Sequence, residues 1–417
     1  MQRRALALSF IRTFFPAFAA VMCLGLLGSV ALPAAGWAAQ NVYVTDPVND
    51  TVAQYAIGST GGLSPLSPAS VAAGPAPWRI VVTPDDKNAY VANLGGGISQ
   101  YNIDPATGAL SPKTPATVPT DGSLVAIAVT PDGRSVYVHD QNNPRVLQYT
   151  VNAVTGALSP KTPLNVTSAF GTGGMAVTPD GRSAYVLGAS STSCCTIWQY
   201  DISSTTGALS PKSPAIVPAC CGDPLDVAVT PDSKNAYVTG FRFVSFPPIG
   251  AVGQYTIDPG SGGLSSTPST ADAGEGPFAI VVSPDGKSVY VTDFEIPGPG
   301  RVWQYNIDMA TGALSPKTPP FVATPEPNDI ALASNGKSAY VSNTDVISQY
   351  DVDPLTGRLS PQNPPTTGSG GQGIATTPSS QVPTNKDQCK NGGWRSFGTM
   401  FRNQGQCVAF VERGPKP

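Results

Sequence analysis

The sequence predicts an all-β fold, a ring of seven four-stranded antiparallel sheets arranged as a β-propeller, on three observations. Two tyrosine columns repeat seven times at a spacing of about 50 residues. Each repeat holds four short apolar runs separated by turn chemistry. One of the four runs is absent from the first repeat and present, alone, after the last.

The first column is a tyrosine followed by valine, at Tyr43, Tyr90, Tyr137, Tyr185, Tyr237, Tyr290 and Tyr340. The second is a Gln-Tyr pair, ending at Tyr55, Tyr101, Tyr149, Tyr200, Tyr255, Tyr305 and Tyr350. Together they use all 14 tyrosines, so tyrosine is expected to pack, with its phenol on a backbone partner, and not to catalyse.

The repeat is clearest over 280–316. Ile280-Val281-Val282 meets the turn Ser283-Pro284-Asp285-Gly286 and continues into Ser288-Val289-Tyr290-Val291. A gap of variable length follows, then Val302-Trp303-Gln304-Tyr305-Asn306-Ile307, the turn Asp308-Met309-Ala310-Thr311-Gly312, and Ala313-Leu314-Ser315. β-Branched and aromatic residues suit a pleated surface, and glycine takes the positive φ of each bend. One such meander buries too little apolar area to stand alone and needs neighbours of its own kind.

Inner strands are expected from Ile80, Ile127, Met175, Val227, Ile280, Ile330 and Ile374. The unit entering at Asn41 therefore lacks one, and the copy at 374–378 completes it. Pairing between the two ends of the repeat array closes the ring and leaves no open sheet edge.

At 417 residues the length prior allows two or three domains, but the repeat assigns nearly all of the chain to one, 39–380. Charged residues at 12% with 44 glycines and 43 prolines favour strands and turns over helices. A net charge of −3 supplies no basic field for nucleic acid. Residues 1–38 read as a signal peptide: Arg3, Arg4 and Arg12 precede an apolar stretch over 14–32, and Gly36-Trp37-Ala38 places small residues at the cleavage positions. The expected product is secreted or held in the periplasm or cell envelope, monomeric, with no membrane span after signal removal.

Export changes how the cysteines read. Without Cys23 there are six: Cys194, Cys195, Cys220, Cys221, Cys389 and Cys407. The first pair falls in a loop between second and third strands and the second in the next inter-blade connection, on the same face, so two bridges between the pairs are expected. Which cysteine pairs with which is open. Adjacent cysteines suit tetrahedral metal ligation poorly, and no metal site is expected.

The Pro-Asp-Gly and Asp-x-x-Thr-Gly turns share one face and hardly vary, so chemistry is expected on the other, where loops differ. Four loops stand out there: 139–145 with the only histidine, His139, and Arg145; 188–195 with two cysteines; 241–249 with Phe241, Arg242, Phe243 and Phe246; and 293–301 with Asp293, Phe294, Glu295 and Arg301. Exposed phenylalanines beside arginine suit a partner protein or small polar ligand; the opposing expectation is that the long loop buries its own aromatics. A lone histidine in a polar loop is expected to be solvated.

A second constellation comes from the residue before each inner strand: Arg79, Ala126, Gly174, Asp226, Ala279, Asp329 and Gly373. Four are small and three charged. This leaves either a channel-mouth pocket in which Arg79, Asp226 and Asp329 hold an anion, a polar ligand or a divalent cation, or a structural ion pair that plugs the channel. No Gly-x-Ser-x-Gly elbow, zinc spacing, phosphate loop or EF-hand occurs.

Thr130-Pro131-Asp132-Gly133 with Val136-Tyr137-Val138, and Ser283-Pro284-Asp285-Gly286 with Val289-Tyr290-Val291-Thr292, resemble the bacterial YVTN propeller repeat. The segment 304–315 is similar to lactonase-type seven-bladed propellers, the group that includes 6-phosphogluconolactonase. The resemblance covers about 41–378. It implies histidine, arginine and acidic groups at the channel mouth, often with a histidine ahead of an inner strand. Here those positions hold no histidine, and only Arg79, Asp226 and Asp329 match. Residues 384–413 resemble a short C-terminal module of secreted bacterial proteins, for which a Cys389–Cys407 bridge around Trp394 and Phe410 is the expected staple.

The sequence thus favours an exported binding or interaction module that needs no cofactor. A lactone hydrolase working at the channel mouth is the alternative.

Overall fold

The computed structural model describes residues 40–189, 195–219, 222–242, 249–294, 298–378, 404–406 and 408. It contains seven four-stranded antiparallel sheets. Blade 2 shows the pattern: inner strand Pro77–Val82, second Asn88–Asn93, third Ile98–Ile103 and outer Leu110–Val118. Inner strands begin at Pro77, Leu124, Pro277 and Pro327 in four blades, three residues ahead of the expected isoleucine. A bulge between those prolines or leucine and the isoleucine carries the pairing past the apolar run.

Blade 1 is built from both ends of the array. Asn41–Asp46, Thr51–Ile57 and Leu63–Ala72 take Ile374–Thr376 as their inner strand, with Val44 opposite Ile374 and Tyr43 opposite Ala375. The expected closure is present.

Apolar side chains form seven clusters, each shared by two neighbouring sheets. Tyr90, Ala92 and Ile98 of blade 2 meet Leu124, Val138 and Leu147 of blade 3, and Ile347 of blade 7 meets Val42 and Ile374 of blade 1. Burial therefore accrues at joints, and no blade has a core of its own.

The tyrosines fasten those joints. Each Tyr of the Tyr-Val column donates to the carbonyl of the glycine in the next blade's third-to-outer turn: Tyr43 to Gly108, Tyr90 to Gly156 and Tyr137 to Gly207, all at 2.6 Å. Tyr185, Tyr237 and Tyr290 follow the same rule. Tyr340 of blade 7 reaches Gly61 of blade 1 at 2.6 Å and closes the ring. In the second column Tyr101, Tyr200 and Tyr350 reach back to carbonyls of the preceding outer strand. Burial pushes these phenols up, Tyr290 to about 12, so they stay protonated and serve as donors.

Glutamines of the Gln-Tyr column add a second fastening. In every blade the pairing of third and outer strands shifts register at the glutamine. Gln100 donates to the carbonyl of Pro115 inside that irregularity and accepts the amide of Leu158 from the next blade. Buried lysines do similar work: Lys113 binds Asn88 and Asn102 of its own blade and the carbonyl of Thr155 in the next.

Residues 1–38, Cys194, Cys220, Cys221, Cys389 and Cys407 lie outside the described residues. Cys195 immediately precedes the third strand of blade 4, Thr196–Ile202, and its carbonyl accepts the amide of Ala219. No helix among the described residues is long and apolar enough to cross a membrane.

Candidate active site at the channel mouth

The three charged residues that precede inner strands come together. A terminal nitrogen of Arg79, on blade 2, pairs with Asp329 Oδ2, on blade 7, at 2.5 Å. To do so it passes blade 1, where Gly373 has no side chain in the way: a Cβ there would lie 2.4 Å from the Trp78 carbonyl oxygen and 3.0 Å from Arg79 Cα. Phe278 of blade 6 lies under the guanidinium, 5.5 Å from its ring centre.

Each carboxylate also clasps two adjacent inner strands. Asp226 accepts the amide of Val227 in its own blade at 2.9 Å and that of Ile280 in the next at 3.1 Å. Asp329 accepts Ile330 at 2.9 Å and Ile374 at 3.1 Å. The last of these bonds crosses the joint between blades 7 and 1.

Asp226 senses Arg79 through space and forms no ion pair with it among the described residues. Burial at the channel raises its carboxyl to about 6; the Arg79 charge and the two amides pull it down, and Asp329 pushes it up. Burial alone would lower the Arg79 guanidinium, but the charges of Asp329 and Asp226 hold it above its usual value. The three residues therefore set a permanent cation beside a carboxylate whose proton affinity burial raises, to about 6.

The small residues of this ring do not all leave empty space, which corrects part of the expectation. A Cβ on Gly174 would lie 2.3 Å from Asp226 Oδ1, so the neighbouring carboxylate already occupies that room. Gly373 is crossed by the Trp78–Arg79 backbone. The ion pair and the site are one object.

The loop residues fare differently. His139 is expected to be solvated but is fully buried in the second strand of blade 3, Ser135–Asp140. Its Nδ1 lies 3.0 Å from the Gly173 carbonyl and its Nε2 3.1 Å from that of Ala169. Burial holds the imidazole below its usual range, against the pull of these carbonyls and of Asp140.

The reason is register. His139 stands two residues after the blade's tyrosine, where other blades have Thr45, Thr239 and Ser342. Those hydroxyls donate to the carbonyls of Trp78, Phe278 and Gln372, the same next-blade position as Gly173. Aligning the repeats at this column exposes the signal.

Asp293 is likewise buried. It accepts the amides of Glu275 and Gly276 and the indole N–H of Trp303. Arg145 is held by Asp140 at 3.0 Å and by Asp121. Arg301 lies over the ring of Phe321, 4.7 Å from its centre.

Phe241 and Arg242 end the second strand of blade 5, Asn235–Arg242, and Phe241 bridges to Gly222. Phe243, Phe246 and Glu295 lie outside the described residues. The structure thus gathers Arg79, Asp226 and Asp329, and leaves the described loop candidates on three blades: His139 and Arg145 on blade 3, Phe241 and Arg242 on blade 5, and Asp293 opposite Arg301 on blade 6.

A family model for a seven-bladed β-propeller lactonase matches residues 38–220, 122–318 and 249–382, which together span the whole ring. The chain belongs to the lactonase family of seven-bladed β-propellers. A candidate 6-phosphogluconolactonase of Bacteroides uniformis superposes on this lactonase-family ring with a TM-score of 0.66 at 20% identity, covering 81% of this chain and 99% of that one. The periplasmic gluconolactonase of Pseudomonas aeruginosa gives 0.62 at 20% identity, over 82% and 99%. Hydrazine synthase of Kuenenia stuttgartiensis gives 0.51 at 17% identity, over 71% and 86%. Identities this low establish the shared fold and no more, and the fold hosts unlike chemistries. No curated protein matches the chain.

Proposed function

We propose that this lactonase-family propeller hydrolyses lactones at the channel mouth, with Asp226 as general base and Arg79 as electrophile. The observation that carries this reading is the Asp226 carboxyl, raised to about 6 beside an arginine that stays charged. The lactonase family model and the gluconolactonase neighbour support the same choice of substrate class.

In this mechanism the Asp226 carboxylate takes a proton from water as the water oxygen adds to the lactone carbonyl carbon. Charge then develops on the carbonyl oxygen, where an N–H of Arg79 stabilises it. Collapse breaks the ring C–O bond, and Asp226 returns its proton to the departing alkoxide. The product is an open-chain hydroxy acid, which releases a proton to solvent. Asp329 is a positioning residue that orients the guanidinium through their ion pair.

A divalent cation fits these residues poorly. All four oxygens of Asp226 and Asp329 already accept amides, and Arg79 supplies the positive charge. Among the described residues no cluster of three acidic, histidine or cysteine side chains suits a metal.

The interaction-module reading loses ground because His139 and Asp293 are interior and Arg145 is already paired. The reaction is placed outside the cytoplasm on the strength of residues 1–38. N-terminal sequencing of the exported protein should begin at Ala39, and a full-length exported chain would overturn that placement.

The decisive assay is hydrolysis of a lactone panel that includes glucono-δ-lactone, corrected for spontaneous opening and repeated after chelation. The wild-type kcat/KM should rise with pH through about 6 as Asp226 loses its proton. Asp226→Asn should cost about 100-fold or more and flatten the profile. Absence of turnover above background on every lactone would end the proposal.

A further inference from the structure

The turn face is nearly uniform; Asn152 and Ser203 replace a turn aspartate in blades 3 and 4, and two further departures, both toward positive charge, meet in one groove. In blades 2 to 6 the inner-to-second turn carries an aspartate: Asp85, Asp132, Asp180, Asp232 and Asp285. Each accepts the amide of a basic residue two positions on. In blade 7 Asn335 takes that place and accepts the Lys337 amide at 2.8 Å, so the backbone task is kept and the negative charge dropped. After the glycine of the third-to-outer turn, blades 2 to 6 have Ala109, Ala157, Ala208, Gly263 and Ala313, and blade 7 has Arg358. Neither change serves the hairpin, and both shift the same place toward positive charge.

That place is the groove between blades 6 and 7, a depression of 1030 Å³ whose lining includes Lys287, Lys317, Lys337 and Arg358 with two acids, Asp285 and Asp353. Both acids are turned into their own loops. Asp285 accepts the Ser283 hydroxyl and the Lys287 amide, and Asp353 accepts the amides of Leu355 and Thr356 and the Thr356 hydroxyl. The side chains of Lys287, Lys337 and Arg358 make no hydrogen bond or ion pair among the described residues, and the Arg358 charge acts on Asp353 only through space, helping to hold its carboxyl down after the Thr356 and Leu355 bonds.

The equivalent groove between blades 4 and 5 is smaller, 340 Å³, and its lining has Arg182 against Asp180, Asp258 and Asp201, the last already paired with Lys212. Its arginine is already spent on the carbonyls of Pro259 and Gly260. One architecture thus gives two grooves, one acidic and self-satisfied, the other basic, roomy and with free donors.

We propose that the groove between blades 6 and 7 is a second binding site, separate from the channel mouth, for a small ligand carrying at least two oxyanion groups. Lys287 and Lys337 meet its charges from the two inner turns, and Arg358 offers a planar fork to a carboxylate or phosphate. Exposed Met309 and Leu355, also in the lining, give it an apolar rim.

The test is calorimetric titration of the whole chain with tripolyphosphate and with citrate, glucose serving as a neutral control. Binding should be seen with both anions at a Kd of about 100 μM or tighter in low salt, weakening about tenfold or more as salt reaches several hundred millimolar. Lys337→Glu with Arg358→Glu should remove it. The matched Arg134→Glu, in the corresponding turn of blade 3, should leave it unchanged, and lactone turnover should be unaffected in both variants. Millimolar or absent binding by the wild type, or equal loss in Arg134→Glu, would overturn the proposal whatever the channel mouth does.

Discussion

Two rings of seven positions run around this molecule, and they obey opposite rules. The Tyr-Val ring has the same residue in every blade making the same bond to the next blade's glycine carbonyl, Tyr43 through Tyr340. The ring before the inner strands has an arginine, two aspartates, two alanines and two glycines. The first ring shows what closure needs, because a joint repeated seven times must be made seven times. In the second ring Asp226 and Asp329 each bind two strands, so the chemistry proposed there would be built on residues that also hold the channel together. Predictions that separate the rings rank by how much of each joint they remove.

Deleting everything from Ile374 onward removes the inner strand of blade 1. It also removes the Asp329 bond to the Ile374 amide and takes Ile374 out of the cluster joining blades 7 and 1. The remaining ring has an open edge, and its first sheet is left with three strands. This should give the largest effect of all, insoluble or protease-sensitive protein, read by expression yield and limited proteolysis. A soluble, cooperatively folded truncation would mean that closure matters less than the seven joints.

Next comes Arg79→Met, which leaves the mostly buried Asp329 without its cation. Breaking such a pair from one side costs about 3–5 kcal/mol. Arg79→Met with Asp329→Leu removes both charges and should recover part of that loss, although the Ile330 and Ile374 amides then lack their acceptor. Chemical denaturation of the two variants measures the difference. Equal destabilisation in both would show that the amide clasp, not the ion pair, is what Asp329 contributes.

A smaller effect tests Asp226 without substrate. Its folded pKa, about 6, lies above that of an unfolded aspartate. Its contribution to stability is therefore fully present below about pH 4 and lost as pH rises through about 6. Wild type measured against Asp226→Asn should lose about 1–3 kcal/mol of relative stability between pH 4 and pH 7. A difference that does not change with pH would place the Asp226 carboxyl at its ordinary value and weaken its assignment as a base.

Most of the fold was legible because it is written seven times. The tyrosine columns, the Pro-Asp-Gly turns and the orphan inner strand at Ile374 each appear as sequence repetition, and the sheets follow them. The candidate site was legible in part. Position before an inner strand picked out Arg79, Asp226 and Asp329, but not that Gly174 and Gly373 are small because neighbours fill their space. His139 misled because polar character was weighed above register: a histidine two residues after a strand tyrosine points into a joint, as Thr45 and Ser342 do. The glutamines were visible as a column, while their task, filling a strand irregularity and reaching the next blade, depends on pairing that no single repeat displays.

The smallest predicted effect is the sharpest comparison within the Tyr-Val ring. Tyr137→Phe and Tyr340→Phe each delete one hydroxyl that donates at 2.6 Å to a glycine carbonyl in the next blade. They differ most in separation along the chain, 70 residues against 279, and the Tyr340 bond is the more buried of the two. A buried hydrogen bond of this kind contributes about 1 kcal/mol, which in a chain of this size shifts Tm by about 1–2 °C. If the seam between blades 7 and 1 is one joint among seven, the two variants lose the same amount. If the seam carries extra strain from closing the circle, Tyr340→Phe loses more and unfolds faster at equal denaturant. Equal losses would assign the ring's stability to its repeated contacts, with closure contributing through the shared sheet of blade 1 alone.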